Sequence, residues 1–195
     1  MAEPGDATAA RASPALAELA ASLREDATLR VLDLGPAVRE NLEHFSRFGG
    51  GVRIAHLLRS RDIETIRAFD AAAFRKTLER RVPATGEPYD LILVWDLFNY
   101  LGDDLAVLLT QHLAGVSRGG ALLYAMTYTA DTMPSSPSVF RVCAGNSLIY
   151  RPTTDRFEEA SNPPPALVER WLKPFRVIRS FILRHGVREF LAILD

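Results

Sequence analysis

The segment Leu91-Ile92-Leu93-Val94-Trp95 constrains the fold more than any other. It is a continuous apolar run, not an alternating one, so a strand here is buried on both faces, as in parallel sheets covered by helices. The flanking sequence keeps to the same plan. Arg30 to Leu34 reads as a first strand ended by Gly35-Pro36. Val38, Leu42, Phe45 and Phe48 then share one helical face, with Gly49-Gly50-Gly51 as the stop. A second strand covers Val52 to Leu58, and Asp62 caps a helical stretch that reaches about Arg81, broken near Phe69-Asp70. Pro83 to Pro88 reads as a loop. Beyond the apolar run, Asp103 or Asp104 caps a helix carrying Leu105, Leu108, Leu109 and Leu113, closed near Gly115. Gly119-Gly120 turns into another buried strand, Ala121 to Tyr128. Strands alternating with helices specify a layered α/β sheet with right-handed crossovers.

The later chain breaks this rhythm. Ala130 to Ser138 and Pro152 to Pro165 are rich in Pro, Ser, Thr and Asp, and both read as mobile loops. Pro165 starts a helix through Trp171. Arg176 to Leu183 and Arg188 to Leu194, joined by a tight turn at His185-Gly186, form an antiparallel hairpin. Arg176, Arg179, Arg184 and Arg188 solvate that edge. Residues 1–28 read as an N-terminal extension, with a short amphipathic helix over about 14–25 that packs on the core or lies over it as a lid. Residues 29–195 form one domain, which suits a chain of 195 residues.

Several functional classes are disfavoured. Twenty-three basic against 24 acidic residues leave a formal net charge of −1, which argues against nucleic acid as the main partner. No signal-type start and no long apolar stretch occur, so the expectation is a cytoplasmic protein without a membrane span. A single cysteine, Cys143, leaves no internal disulfide and reads as a buried inert thiol. His44, His56, His112 and His185 lack metal-ligand spacing. There is no Gly-x-Ser-x-Gly elbow and no phosphate loop.

Three motifs follow one another in a familiar order: Val31-Leu32-Asp33-Leu34-Gly35, then Tyr89-Asp90 through Trp95-Asp96-Leu97-Phe98-Asn99-Tyr100-Leu101, then Gly119-Gly120-Ala121-Leu122-Leu123. With the closing antiparallel hairpin, the chain over about residues 29–195 resembles the class I S-adenosylmethionine-dependent methyltransferases. The resemblance implies a single-domain Rossmann-like sheet, mostly parallel, with helices on both faces and a C-terminal antiparallel hairpin. It also implies S-adenosylmethionine as cofactor, held across the strand ends between Gly35 and Asp96. The cofactor-binding candidates are then Asp33, Gly35, Pro36, Ala37, Asp70, Asp96, Leu97, Asn99 and Tyr100. Asp33 either orients the first turn or satisfies backbone donors at a strand end. Asp96, Asn99 and Tyr100 fall at the crevice position for ligands in open α/β sheets, and Asp70 resembles the acid that faces adenine in the family.

Two departures fall on the site itself. The family carries three glycines in the first turn, where this chain has Gly35 followed by Pro36, Ala37, Val38 and Arg39. Arg39 is a candidate partner for a carboxylate. The family also places an acid at the end of strand two to hold the ribose hydroxyls, where this chain reads Ala55-His56-Leu57-Leu58-Arg59, with Asp62 as a substitute a few residues on.

Two functions therefore compete. One is methyl transfer to a small-molecule acceptor, driven by proximity and orientation without a dedicated catalytic residue, with loops 130–138 and 152–165 and the N-terminal helix shaping the acceptor pocket. The other is a methyltransferase fold without the reaction, acting as an interaction or assembly module with a protein partner through Phe98, Tyr100 and the final hairpin. A nicotinamide-dependent oxidoreductase is weaker, since the turn lacks Gly-x-Gly-x-x-Gly. Space around Gly35-Pro36-Ala37 discriminates: an open, adenosine-sized cleft favours the enzyme, and one filled by Arg39, Leu57 or Trp95 favours the module.

Overall fold

The computed structural model describes residues 9–23, 28–59, 63–67, 69–84 and 86–195. A short strand β1 (Arg11–Ala12) and helix α1 (Pro14–Ser22) precede β2 (Leu29–Asp33), α2 (Arg39–Ser46) and β3 (Gly49–Ile54). Next come α3 (Ile63–Arg67), α4 (Ala71–Arg81) and β4 (Tyr89–Trp95), then a 3-10 turn over Leu97–Tyr100, α5 (Asp103–Gly115) and β5 (Ser117–Tyr128). An insertion follows with β6 (Thr132–Pro134), β7 (Val139–Cys143), β8 (Ser147–Arg151) and β9 (Phe157–Glu159). Helix α6 (Pro165–Leu172) and strands β10 (Phe175–Leu183) and β11 (Val187–Leu194) close the chain.

The main sheet has six strands in the order β10-β11-β5-β4-β2-β3. Strands β3, β2, β4 and β5 pair in parallel, whereas β11 runs antiparallel to both β5 and β10. This is the expected Rossmann-like sheet with its closing hairpin. The apolar run of β4 lies at its centre, with Leu91 through Val94 fully buried. Burying each such side chain contributes roughly 1.5–3 kcal/mol, so β4 anchors the core. Helices α4, α5 and α6 pack side by side in one layer, and α1 and α2 belong to the other.

Several local expectations are corrected. Gly49-Gly50-Gly51 lies past the end of α2 at Ser46 and already opens β3, where a Cβ on Gly50 would come within 2.3 Å of the Leu29 backbone. That strand ends at Ile54, short of Leu58. Gly119-Gly120 lies inside β5, where Gly120 adopts φ +83 and the register against β4 shifts. The cap of α5 is Gly102; Asp103 and Asp104 occupy its first turn, and Asp103 pairs with Arg170 at 2.8 Å. The expected break at Phe69-Asp70 separates α3 from α4, while Asp62 lies outside the described residues. Cys143 is half-buried at the end of β7 rather than buried.

The two loops expected to be mobile are tied together. Strands β6 and β9 form a two-stranded ladder, extended by Ser135 N–H to Arg156 O and Ala160 N–H to Asp131 O, each 2.9 Å. Between them β7 and β8 form a hairpin, and β1 pairs with β8 to complete a three-stranded sheet. Helix α1 buries Ala15, Leu16 and Leu19 and packs on β5, β10 and β11.

Candidate functional site

The C-terminal ends of β2, β3 and β4 open into a cleft of about 360 Å³. Gly35 and Pro36 form its base beyond β2, His56, Leu58 and Arg59 follow β3, and Trp95 and Leu97 end β4. Pro137, Ser138, Val139 and Thr153 cover it from the insertion. Both Pro- and Ser-rich segments thus reach the cleft, and α1 does not line it.

Trp95 decides the shape of the floor. It sits at φ +59, in the left-handed region that bulky side chains rarely occupy. There its indole donates from Nε1 to Asp33 Oδ1 at 2.6 Å. The same carboxylate oxygen accepts the Gly35 N–H at 2.8 Å, so Asp33 ties the first turn to the end of β4. The ring lies so close to Gly35 that a Cβ there would stand 2.9 Å from Trp95 Cδ1. From above, Phe140 of β7 stacks on the indole, with centroids 5.3 Å apart and planes 3° from parallel. Of the three residues named as able to fill this space, Trp95 lies over Gly35. Arg39 instead pairs with Glu43 on the exposed face of α2, and Leu57 is buried in the core.

The other candidates divide. Leu97 lines the cleft with Gly35 and Pro36, whereas Ala37 is exposed beside it. Asp96 is buried below, where its Oδ2 accepts the Ser138 N–H at 3.0 Å and the Tyr128 hydroxyl at 3.2 Å. Asn99 commits its amide to the fold, donating to Asp96 O and Met126 O and accepting from Tyr128 N–H. Tyr100 is buried with its hydroxyl on Pro134 O at 3.0 Å. Asp70 caps α4 by accepting the Ala73 N–H at 2.7 Å. Asn99, Tyr100 and Asp70 therefore hold secondary structure and the insertion, and none of them lines the cleft.

Burial raises both carboxyls behind the floor, against the lowering pull of their hydrogen bonds. Asp33 is pushed up to about 6 and Asp96 to about 7. Neither reaches the cleft surface. Among the described lining residues, the ionisable side chains are His56 and Arg59, with no carboxylate. The ribose-holding acid that the resemblance implies has no counterpart among them. No group of His, Cys, Asp and Glu that could hold a metal occurs among the described residues.

Sequence reasoning missed Phe140, Val139 and the clamp that seats them. The side chain of Asn41 on α2 donates to Phe140 O at 2.9 Å and accepts the Val142 N–H at 2.8 Å. An asparagine beside the apolar face of an amphipathic helix is the one signal that pointed there.

No family model matches the sequence, and no curated protein matches it. Solved structures do. DesVI of Streptomyces venezuelae superposes with a TM-score of 0.54 at 12% identity, over 92% of this chain and 90% of that one. The glycopeptide N-methyltransferase MtfA, complexed with S-adenosylmethionine, matches at 0.52 and 13% identity over 100% of both chains. The Burkholderia thailandensis 1,6-didemethyltoxoflavin-N1-methyltransferase, with bound S-adenosylhomocysteine, matches at 0.52 and 16% identity, over 93% of this chain and 77% of that one. Sheet order, the closing antiparallel strand and these superpositions agree that the chain has the fold of the class I S-adenosylmethionine-dependent methyltransferases.

Proposed function

We propose that this protein binds a small molecule of adenosine size in its strand-end cleft, on a methyltransferase fold whose first turn is closed to the amino-acid part of S-adenosylmethionine. The observation that carries the reading is the Trp95 indole over Gly35, beside a cleft that stays open at about 360 Å³. Pro36, Leu58, Leu97 and Val139 offer apolar walls to a flat ring. The residues do not fit the whole cofactor. The first turn is occupied by an indole, and no described carboxylate stands in the cleft for the ribose hydroxyls.

A second reading, S-adenosylmethionine-dependent methyl transfer to a small-molecule acceptor, is favoured by the position of the cleft at the crevice of the parallel strands. It requires the indole to leave Gly35. Calorimetric titration with adenosine, S-adenosylhomocysteine and S-adenosylmethionine separates the two. The proposed reading expects the wild type to bind adenosine at least as tightly as either larger ligand. Trp95→Leu, which stays apolar but clears the turn, should then improve S-adenosylhomocysteine binding at least tenfold. Val139→Arg, which fills the cleft, should abolish all binding. Wild-type binding of S-adenosylmethionine tighter than adenosine, with methyl transfer to any acceptor, would establish the second reading instead.

A further inference from the structure

We infer that the ligand of this cleft is a flat aromatic anion, held through its phosphate or carboxylate by Arg59; this rests on the cleft being the ligand site. The side chain of Arg59 is half-buried at the cleft wall. Its Nε is shut off from solvent and has no hydrogen-bond partner among the described residues. A charged donor left unpaired is costly, and an acceptor that pairs with the accessible part of the guanidinium offsets that cost.

None of the described polar groups serves as that acceptor. Ser138 shares its hydroxyl with Tyr128 at 3.2 Å, and Thr153 donates to Pro137 O at 2.8 Å. Asp33 and Asp96 lie behind the indole floor, bonded to Gly35, Trp95, Ser138 and Tyr128. Among the described lining residues Arg59 brings a positive charge and none brings a carboxylate, and apolar walls come from Pro36, Leu58, Leu97, Pro137 and Val139. A guanidinium presents a planar fork that matches phosphate and carboxylate. An anionic group at Arg59 with an aromatic ring between the apolar walls satisfies both features. The same charge disfavours a sulfonium ligand, which is itself cationic.

The test uses the full chain carrying Trp171→Phe, so that Trp95 at the cleft is the sole tryptophan reporter. Trp95 emission is titrated with two matched pairs: adenosine 5′-monophosphate against adenosine, and 1-naphthoate against 1-naphthamide. The inference expects the anion of at least one pair to bind tenfold or more tighter than its neutral partner, with the preference falling as salt rises. The pair that shows it tells a nucleotide from an aromatic carboxylate. Arg59→Ala should erase the preference, and Arg59→Lys should keep part of it. Equal binding within each pair, or a preference that survives Arg59→Ala, overturns the inference. If Val139→Arg still abolishes binding in that case, the cleft remains the ligand site and the anion assignment alone has failed. Binding that Val139→Arg leaves intact overturns both.

Discussion

Two buried carboxyls give this protein an unusual response to pH. Asp33 and Asp96 are raised from 3.8 to about 6 and about 7 because burial disfavours their charged forms. Between pH 4 and 7 the folded chain therefore holds more protons at these positions than the unfolded chain does. By linkage, their contribution to stability is fully present below pH 4 and is lost as pH rises through 6 and 7. Every tenfold difference in proton affinity between the folded and unfolded chain corresponds to about 1.4 kcal/mol. Urea unfolding should show stability falling by several kcal/mol from these sites as pH rises from 5 to 8, and Asp96→Asn should remove much of that slope. A slope unchanged in the variant would mean that Asp96 ionises in the fold as easily as in the unfolded chain. The glycine beside them is equally exacting. In Gly35→Ala the new Cβ would meet the indole at 2.9 Å and Asp33 Oδ1 at 3.1 Å. The expected cost is about 1–3 kcal/mol, as for other overpacked sites, with a red shift in Trp95 emission as the ring is displaced.

At the scale of elements, what was legible depended on how local the cause was. The β4 run, the break at Phe69-Asp70, the helix start at Pro165 and the closing hairpin announce themselves within a few residues of sequence, whereas the capping role of Asp70 does not. The pairing of β6 with β9 does not, since Thr132 and Glu159 meet across a Pro- and Ser-rich stretch that contains another hairpin. Composition there matches a loop, and the order comes from partners distant in sequence. Trp95 is a like case: its apolar context reads as core, and the positive φ that turns its ring over Gly35 leaves no mark in the sequence. Glycines past the end of α2 carry a second meaning, marking close strand approach at Gly50. Asn41 is one of the points at which the insertion is fastened to the main sheet and its helices. Asn41→Ala would strand the buried Phe140 carbonyl and Val142 amide, each at about 1–3 kcal/mol. Hydrogen exchange should then speed up at Val142 while amides of β5 keep their protection. Unchanged exchange at Val142 would show that β7 is seated by its apolar contacts alone.

Across the whole molecule, the first described elements and the last are joined at one buried carboxylate. Glu189 on β11 accepts the Ser13 hydroxyl at 2.6 Å, the Ala15 N–H at 3.1 Å and the Tyr124 hydroxyl at 2.7 Å. Ser13 performs a second task by accepting the Leu16 N–H at 3.2 Å as the cap of α1. Strand β1, immediately before it, pairs with β8 of the insertion, so this junction connects the main sheet, α1 and the cleft cover. Ser13→Ala removes both the cap, worth about 0.5–2 kcal/mol, and a hydrogen bond to a charged group, worth about 1.5–3 kcal/mol. A double-mutant cycle separates them. In a Glu189→Gln background the cap is still lost on Ser13→Ala, but the bond at stake is no longer to a charge. The two substitutions should therefore couple by about 1 kcal/mol or more in urea unfolding, with Ser13→Ala less damaging in the Glu189→Gln protein. Strict additivity would assign the whole effect of Ser13 to helix capping, and would leave the packing of Ala15, Leu16 and Leu19 as what fastens the N-terminal segment to the sheet.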